Sequence, residues 1–118
     1  MSKERSQTGS KTAISRYARE GLGLFGGMIR AARIQRGMTA AELASRAGVS
    51  RGVVQRTEAG DPGVAIGSVF EMASILGIPL FDADLGRLGS IAGHQRDINA
   101  LLPKRAFQAS QSKPDNDF

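Results

Sequence analysis

The stretch from Thr39 to Glu58, TAAELASRAGVSRGVVQRTE, constrains this chain more than any other. It predicts two short helices around a tight turn. Thr39 is an N-cap residue, and Glu42 three places on completes a capping box, in which side-chain and backbone groups satisfy each other at the helix start. Leu43, Ala44 and Ala47 make one apolar stripe. Gly48 follows the last periodic residue and suits the left-handed conformation that ends a helix. Val49 plugs the turn. Ser50 then caps a second helix, with Val54 and Thr57 on its inner face. Arg51 and Gln55 lie four apart on another face and point outward together.

A capped helix, a glycine turn and a helix with an arginine-bearing face is the helix-turn-helix pattern. From about Gly27 to Ile78 the chain resembles the phage-repressor family of DNA-binding proteins (lambda repressor/Cro, or XRE-type). The string that carries the resemblance is R-x-x-R…G-M-T-x-x-E-L-A-x-x-A-G-V-S-x-x-x-V-x-x-x-E-x-G, a little under half the chain. It implies an all-α fold: a five-helix lambda-repressor-like helix-turn-helix domain, with an extra C-terminal helix and flexible tails. It also implies base-reading roles for Arg51, Gly52, Gln55 and Arg56, and a structural pair of Arg33 with Glu58. Two positions depart from the family. Ala40 stands where glutamine is usual, which removes a DNA contact. Thr57 stands where a large apolar residue is usual, which predicts looser packing.

The chemistry of these residues agrees with that role. An arginine on the first exposed turn of a helix can donate two hydrogen bonds to guanine O6 and N7. Gly52 has no side chain and can only allow close approach. Thr39 and Ser50 begin helices, where free N–H groups and the helix dipole favour phosphate. Arg33 is a third candidate phosphate contact, besides orienting the reading helix through Glu58.

Charge follows the motif. The first sixty residues carry 11 lysines and arginines against 4 acidic residues, and the remainder 5 against 7. The positive excess therefore lies with the helix-turn-helix, and a polyanion is its natural partner. There is no cysteine, so neither a disulfide framework nor a thiolate metal site. No run approaches the roughly 18 apolar residues of a membrane span. Gly21–Ile29 follows a basic start as a signal peptide would, but arginines follow in place of a small-residue cleavage site. The expected place is the cytoplasm.

Along the chain, residues 1–20 read as a flexible basic N-terminal arm with Lys3, Arg5, Lys11, Arg16 and Arg19, with a turn or two of helix available after residue 12. Residues 21–80 form the DNA-binding domain. Its first helix is predicted from near Leu24 to Gln35, with Phe25, Met28, Ile29 and Ala32 inside and Gly26 and Gly27 weakening its first turn. Its last is predicted over about 66–76, with Ile66, Val69, Phe70, Ala73 and Leu76 inside. Residues 81–103 read as a C-terminal helical dimerisation or partner element, interrupted by Gly86, Gly89 and Gly93 and stopped by Pro103. Residues 104–118 read as a flexible tail that ends in Phe118, a partner-binding anchor.

Other chemistries lack support. Gly21–Gly26 spells G-x-G-x-x-G, but a dinucleotide fingerprint needs a preceding strand and a βαβ unit, and neither is visible. His94 is the only histidine and has no triad or metal partner in the pattern. We find no nucleophile–base arrangement, so no enzyme, no catalytic residue, no metal and no cofactor is expected. A small core makes a homodimer on an inverted-repeat operator in double-stranded DNA the expected form. The arrangement after Pro79 resembles the HipB-like antitoxins that accompany HipA-type kinase toxins, which implies an antitoxin that represses its own operon. The alternatives are a stand-alone phage-type or bacterial regulator, and, more remotely, an interaction module that does not bind DNA.

Overall fold

A computed structural model describes residues 13–106. These residues form five α-helices and, among themselves, no strand: α1 (Arg16–Gln35), α2 (Ala40–Ala47), α3 (Arg51–Glu58), α4 (Ile66–Leu76) and α5 (Leu85–Ala100). The chain divides into two units between Asp82 and Ala83. The first holds α1 to α4. The second holds α5, so the fifth helix and the expected extra C-terminal helix are one element.

The core of the first unit is built from Ile29, Leu43, Ala44, Val54, Met72 and Leu76. Full burial of an aliphatic side chain of this kind stabilises by about 1.5–3 kcal/mol, and Ile29, Leu43, Val54, Met72 and Leu76 are all essentially inaccessible to solvent. Helix α2 packs on α3 and α4, and α1 packs on the same two helices. Two predicted inner positions lie outside. Met28 is 42% exposed and Ile66 is 69% exposed. Gly26 and Met72 are buried instead. The stripe on α1 is thus turned toward Gly26, because the crossing with α3 needs a residue without a side chain there.

Helix α1 begins eight residues before the predicted start. Ser15 caps it, its hydroxyl accepting the Ala18 N–H at 3.1 Å. Residues 16–20, expected in the arm, are therefore helical. Of the two glycines that weakened the predicted first turn, Gly27 faces open space and Gly26 is where another backbone approaches. A Cβ on Gly26 would overlap the Thr57 carbonyl oxygen and stand 2.9 Å from that of Glu58. Gly60, with φ +80°, brings its own Cβ direction to 3.1 Å from the Gly23 Cα. Each glycine costs about 1 kcal/mol of helix propensity, and the close crossing of α1 over the end of α3 offsets it. The G-x-G-x-x-G string lies wholly inside α1 and forms no strand-to-helix turn.

At the end of the first unit, Gly77 caps α4. Arg36 reaches across from the end of α1 and donates from Nε to the Leu76 carbonyl at 3.0 Å, with Nη2 on the same oxygen. That satisfies a free carbonyl at the negative end of α4. Phe81 and Asp82 then take left-handed conformations, φ 54° and 56°, and the Phe81 ring meets Phe70 edge to face at 6.4 Å.

In the second unit, Asp84 caps α5 by accepting the Arg87 N–H at 2.8 Å. The helix ends at Ala100, three residues before Pro103. It buries no residue. Its glycines at 86, 89 and 93 share one face by helical spacing, and Leu88, Ile91, Gln95 and Ile98 line the opposite one. Among the described residues, no helix is long and apolar enough to cross a membrane.

Candidate nucleic-acid interface

The turn between α2 and α3 is fixed by local hydrogen bonds. Thr39 Oγ1 accepts the Glu42 N–H at 3.0 Å, and Glu42 Oε1 accepts the Thr39 N–H at 2.8 Å, completing the capping box. Gly48 takes φ +72°, and the Val49 N–H donates to the Ala44 carbonyl at 3.0 Å. Val49 packs against the core. Ser50 Oγ then accepts the Val53 N–H at 3.1 Å and starts α3. Every one of these bonds joins residues within five positions, so the turn is a property of its own sequence.

On α3, Val54 and Thr57 are buried and anchor the helix. Arg51, Gln55 and Arg56 are exposed on the other side, with Gly52 half-buried among them. These four positions fall on one face by helical spacing. Thr39 and Ser50, at the two helix starts, are also exposed. Arg56 is less free than the sequence suggests. Its Nε lies 3.9 Å from Asp61 Oδ2, and its Nη1 would be 3.4 Å from a Cβ on Gly52.

Behind this face, Arg33 ties three segments together. Its Nε donates to Glu58 Oε2 at 2.6 Å and its Nη2 to Glu58 Oε1 at 3.0 Å, a bidentate pair between α1 and the end of α3. Its Nη1 donates to the Met38 carbonyl at 2.9 Å, just before α2. The Arg33 and Glu58 side chains are 11% and 7% exposed. The hydrogen bonds it donates to Glu58, then burial acting the other way, then the carboxylate charge, leave the Arg33 guanidinium with a raised pKa. It therefore stays charged wherever the fold persists. With three nitrogens engaged inside the protein, Arg33 has little left for a phosphate. Arg30, one helical turn before Arg33, is 60% exposed and 3.8 Å from Glu58 Oε1, and is open to solvent.

Thr57, expected to loosen the packing, is held by its own backbone. Its hydroxyl donates to the Val53 carbonyl at 2.8 Å. A cavity of about 20 Å³ remains beside it, lined by Leu22, Phe25, Gly26, Gly60, Asp61 and Val69. That is room for about one water. Three roles escaped the sequence reading: the Arg36 cap on α4, the Met38 carbonyl as a partner of Arg33, and Asp61 beside Arg56. Each joins residues that no local spacing rule links, except Asp61, whose Asp-Pro-Gly context pointed only to a turn.

Residues 29–82 match the helix-turn-helix family. This segment is a helix-turn-helix domain of the phage-repressor type. A comparison with curated proteins gives no match. The helix-turn-helix match spans the last third of α1 and all of α2, α3 and α4. A helix-turn-helix domain of this type is the fold of a DNA-binding transcription regulator. The base-facing candidates Arg51, Gly52, Gln55 and Arg56 all lie within it, as do Thr39, Ser50 and the Arg33–Glu58 pair. Lys3, Arg5 and Lys11 of the basic arm, and Phe118 of the tail, lie outside the described residues.

Proposed function

We propose that this protein is a sequence-specific transcriptional repressor that binds an inverted-repeat operator as a homodimer. The observation that carries it is the face of α3, where Arg51, Gln55 and Arg56 are exposed on a helix anchored by Val54, Thr57 and the Arg33–Glu58 pair. Arg51 and Gln55 read base edges, Gly52 lets the helix approach closely, and Thr39 and Ser50 present helix N-termini to phosphates. Arg33 and Glu58 orient α3.

The dimer reading is supported by α5, a helix that buries no residue. A 16-residue helix with three glycines gains little from propensity alone. Its face of Leu88, Ile91, Gln95 and Ile98 suits a second helix. In a dimer on an inverted repeat, two α3 helices enter successive major grooves about 34 Å apart. Selection of bound sequences from random DNA, followed by footprinting and sizing of the complex, tests the proposal. An inverted repeat bound by two chains supports it. One chain on a single half-site refutes the dimer, and affinity insensitive to salt refutes DNA binding.

A finer reading makes the repressor the antitoxin of a HipA-type kinase toxin, regulating its own operon. Its support is the sequence after Pro79, with one helix and a tail in which Phe118 follows Asp115 and Asp117. Co-purification with the product of the adjacent gene tests it, using the full chain and a chain cut after Pro103. Capture of a kinase by the full chain alone assigns the tail as anchor, and capture by neither leaves a stand-alone regulator.

A further inference from the structure

The turn after α3 fixes Asp61 from two sides. Its N–H donates to the Arg56 carbonyl at 3.0 Å. Its Oδ1 accepts the Gly63 N–H at 2.7 Å, an Asx turn. The remaining oxygen, Oδ2, stands 3.9 Å from Arg56 Nε. At its other end the same guanidinium lies over Gly52, where Nη1 would be 3.4 Å from a Cβ. Arg56 is thus strung between a carboxylate at the end of α3 and bare backbone one turn back. We propose that Asp61 is a positioning residue of the DNA interface: it holds Arg56 across Gly52 as an aimed side chain and withholds that charge from phosphates at random sites. The proposal rests on the DNA-binding function above.

The physical case has two parts. A free surface arginine loses rotamer entropy on every contact and engages any phosphate it reaches. One whose Nε faces a fixed carboxylate has less freedom to lose when it meets a base edge. The carboxylate also holds the Arg56 charge to itself, so that this arginine contributes less to random duplex binding, which is almost wholly phosphate attraction. Its effect is therefore larger on random DNA than on the true site. At Gly52 an added Cβ would just touch the guanidinium, so the glycine leaves the arginine room to lie close to the backbone. The turn itself is independent of the charge, since Asp61 Oδ1, and not Oδ2, holds Gly63.

That separation supplies the test. Asp61→Asn keeps a carbonyl oxygen for the Gly63 N–H and removes the charge. The full chain, this variant, Arg56→Gln and the double variant are titrated with the duplex selected from random DNA and with a random duplex of equal length, over a salt series. Asp61→Asn is expected to tighten random binding roughly two- to fivefold, the range of an exposed ion pair. The log–log salt slope on random DNA should steepen by up to about 0.9, one phosphate's share. The selected site gains less, so selectivity falls. In the Arg56→Gln background, Asp61→Asn should change selectivity no further. Unchanged selectivity overturns the proposal, whatever the melting temperature does. An equal change in both backgrounds also overturns it, since Asp61 would then act as a background charge. Wild-type protein with salt-insensitive affinity for both duplexes overturns the DNA-binding function instead.

Discussion

Gly26 and Gly27 are neighbours in one helix, and substitution by alanine should act on them with opposite sign. Alanine in a helix interior gains about 1 kcal/mol over glycine. At Gly27 nothing lies within 4 Å of the added Cβ, so that gain is kept. At Gly26 the Cβ would overlap the Thr57 carbonyl oxygen and lie 2.9 Å from the Glu58 oxygen and 3.1 Å from the Glu58 carbonyl carbon. All three are backbone atoms, so no rotamer change relieves the contact. Overpacking of this kind costs about 1–3 kcal/mol, and the absence of a flexible neighbour places it at the upper end. After the propensity gain, Gly26→Ala should lose about 2 kcal/mol. The two variants then differ by about 3 kcal/mol, more than 10 °C in Tm for a domain of this size. Urea denaturation with both midpoint and slope measured is the assay. If Gly26→Ala is as stable as Gly27→Ala, the close crossing of α1 over α3 is wrong. Since the contact is with the end of α3, Gly26→Ala should also weaken DNA binding where Gly27→Ala does not.

Three further perturbations follow from the same geometry. Glu58→Ala leaves Arg33 nearly buried without its carboxylate and should destabilise by about 3–5 kcal/mol, the cost of breaking a buried pair from one side; a double-mutant cycle with Arg33→Ala that shows no coupling would sink the assignment. Arg51→Ala should cost about 1–3 kcal/mol on the selected site and relax one base position, and equal loss on random DNA would remove its base-reading role. Thr57→Val should stay within about 1 kcal/mol of wild type, because the hydroxyl bonds only to the Val53 carbonyl of its own helix; a larger loss, measured by thermal melting, would mean that the adjacent cavity holds a water bound to Thr57.

The motif at the centre of this protein is legible without a structure because its interactions are local. Thr39 with Glu42, Gly48 with Ala44, and Ser50 with Val53 lie within a helical turn or so of one another. Spacing and residue type therefore determine the two helices, their turn and the face that carries Arg51 and Gln55. The Arg33–Glu58 expectation came from resemblance, since 25 positions separate the two residues and no periodicity links them. What tertiary structure alone decided is the meaning of the glycines and of the charges around α3. In the sequence, Gly26 and Gly27 read as weakening the first turn of a helix. In the fold both lie inside a helix that Ser15 caps, and Gly23 and Gly26 are where α1 touches Gly60 and the end of α3. Met28, predicted inside, is exposed because α1 turns toward Gly26, where the neighbouring backbone comes closest. Asp61 looks like a turn residue and acquires Arg56 only when α3 ends beside it. Propensity and capping act over a few residues, whereas the approach of one backbone to another depends on the whole packing.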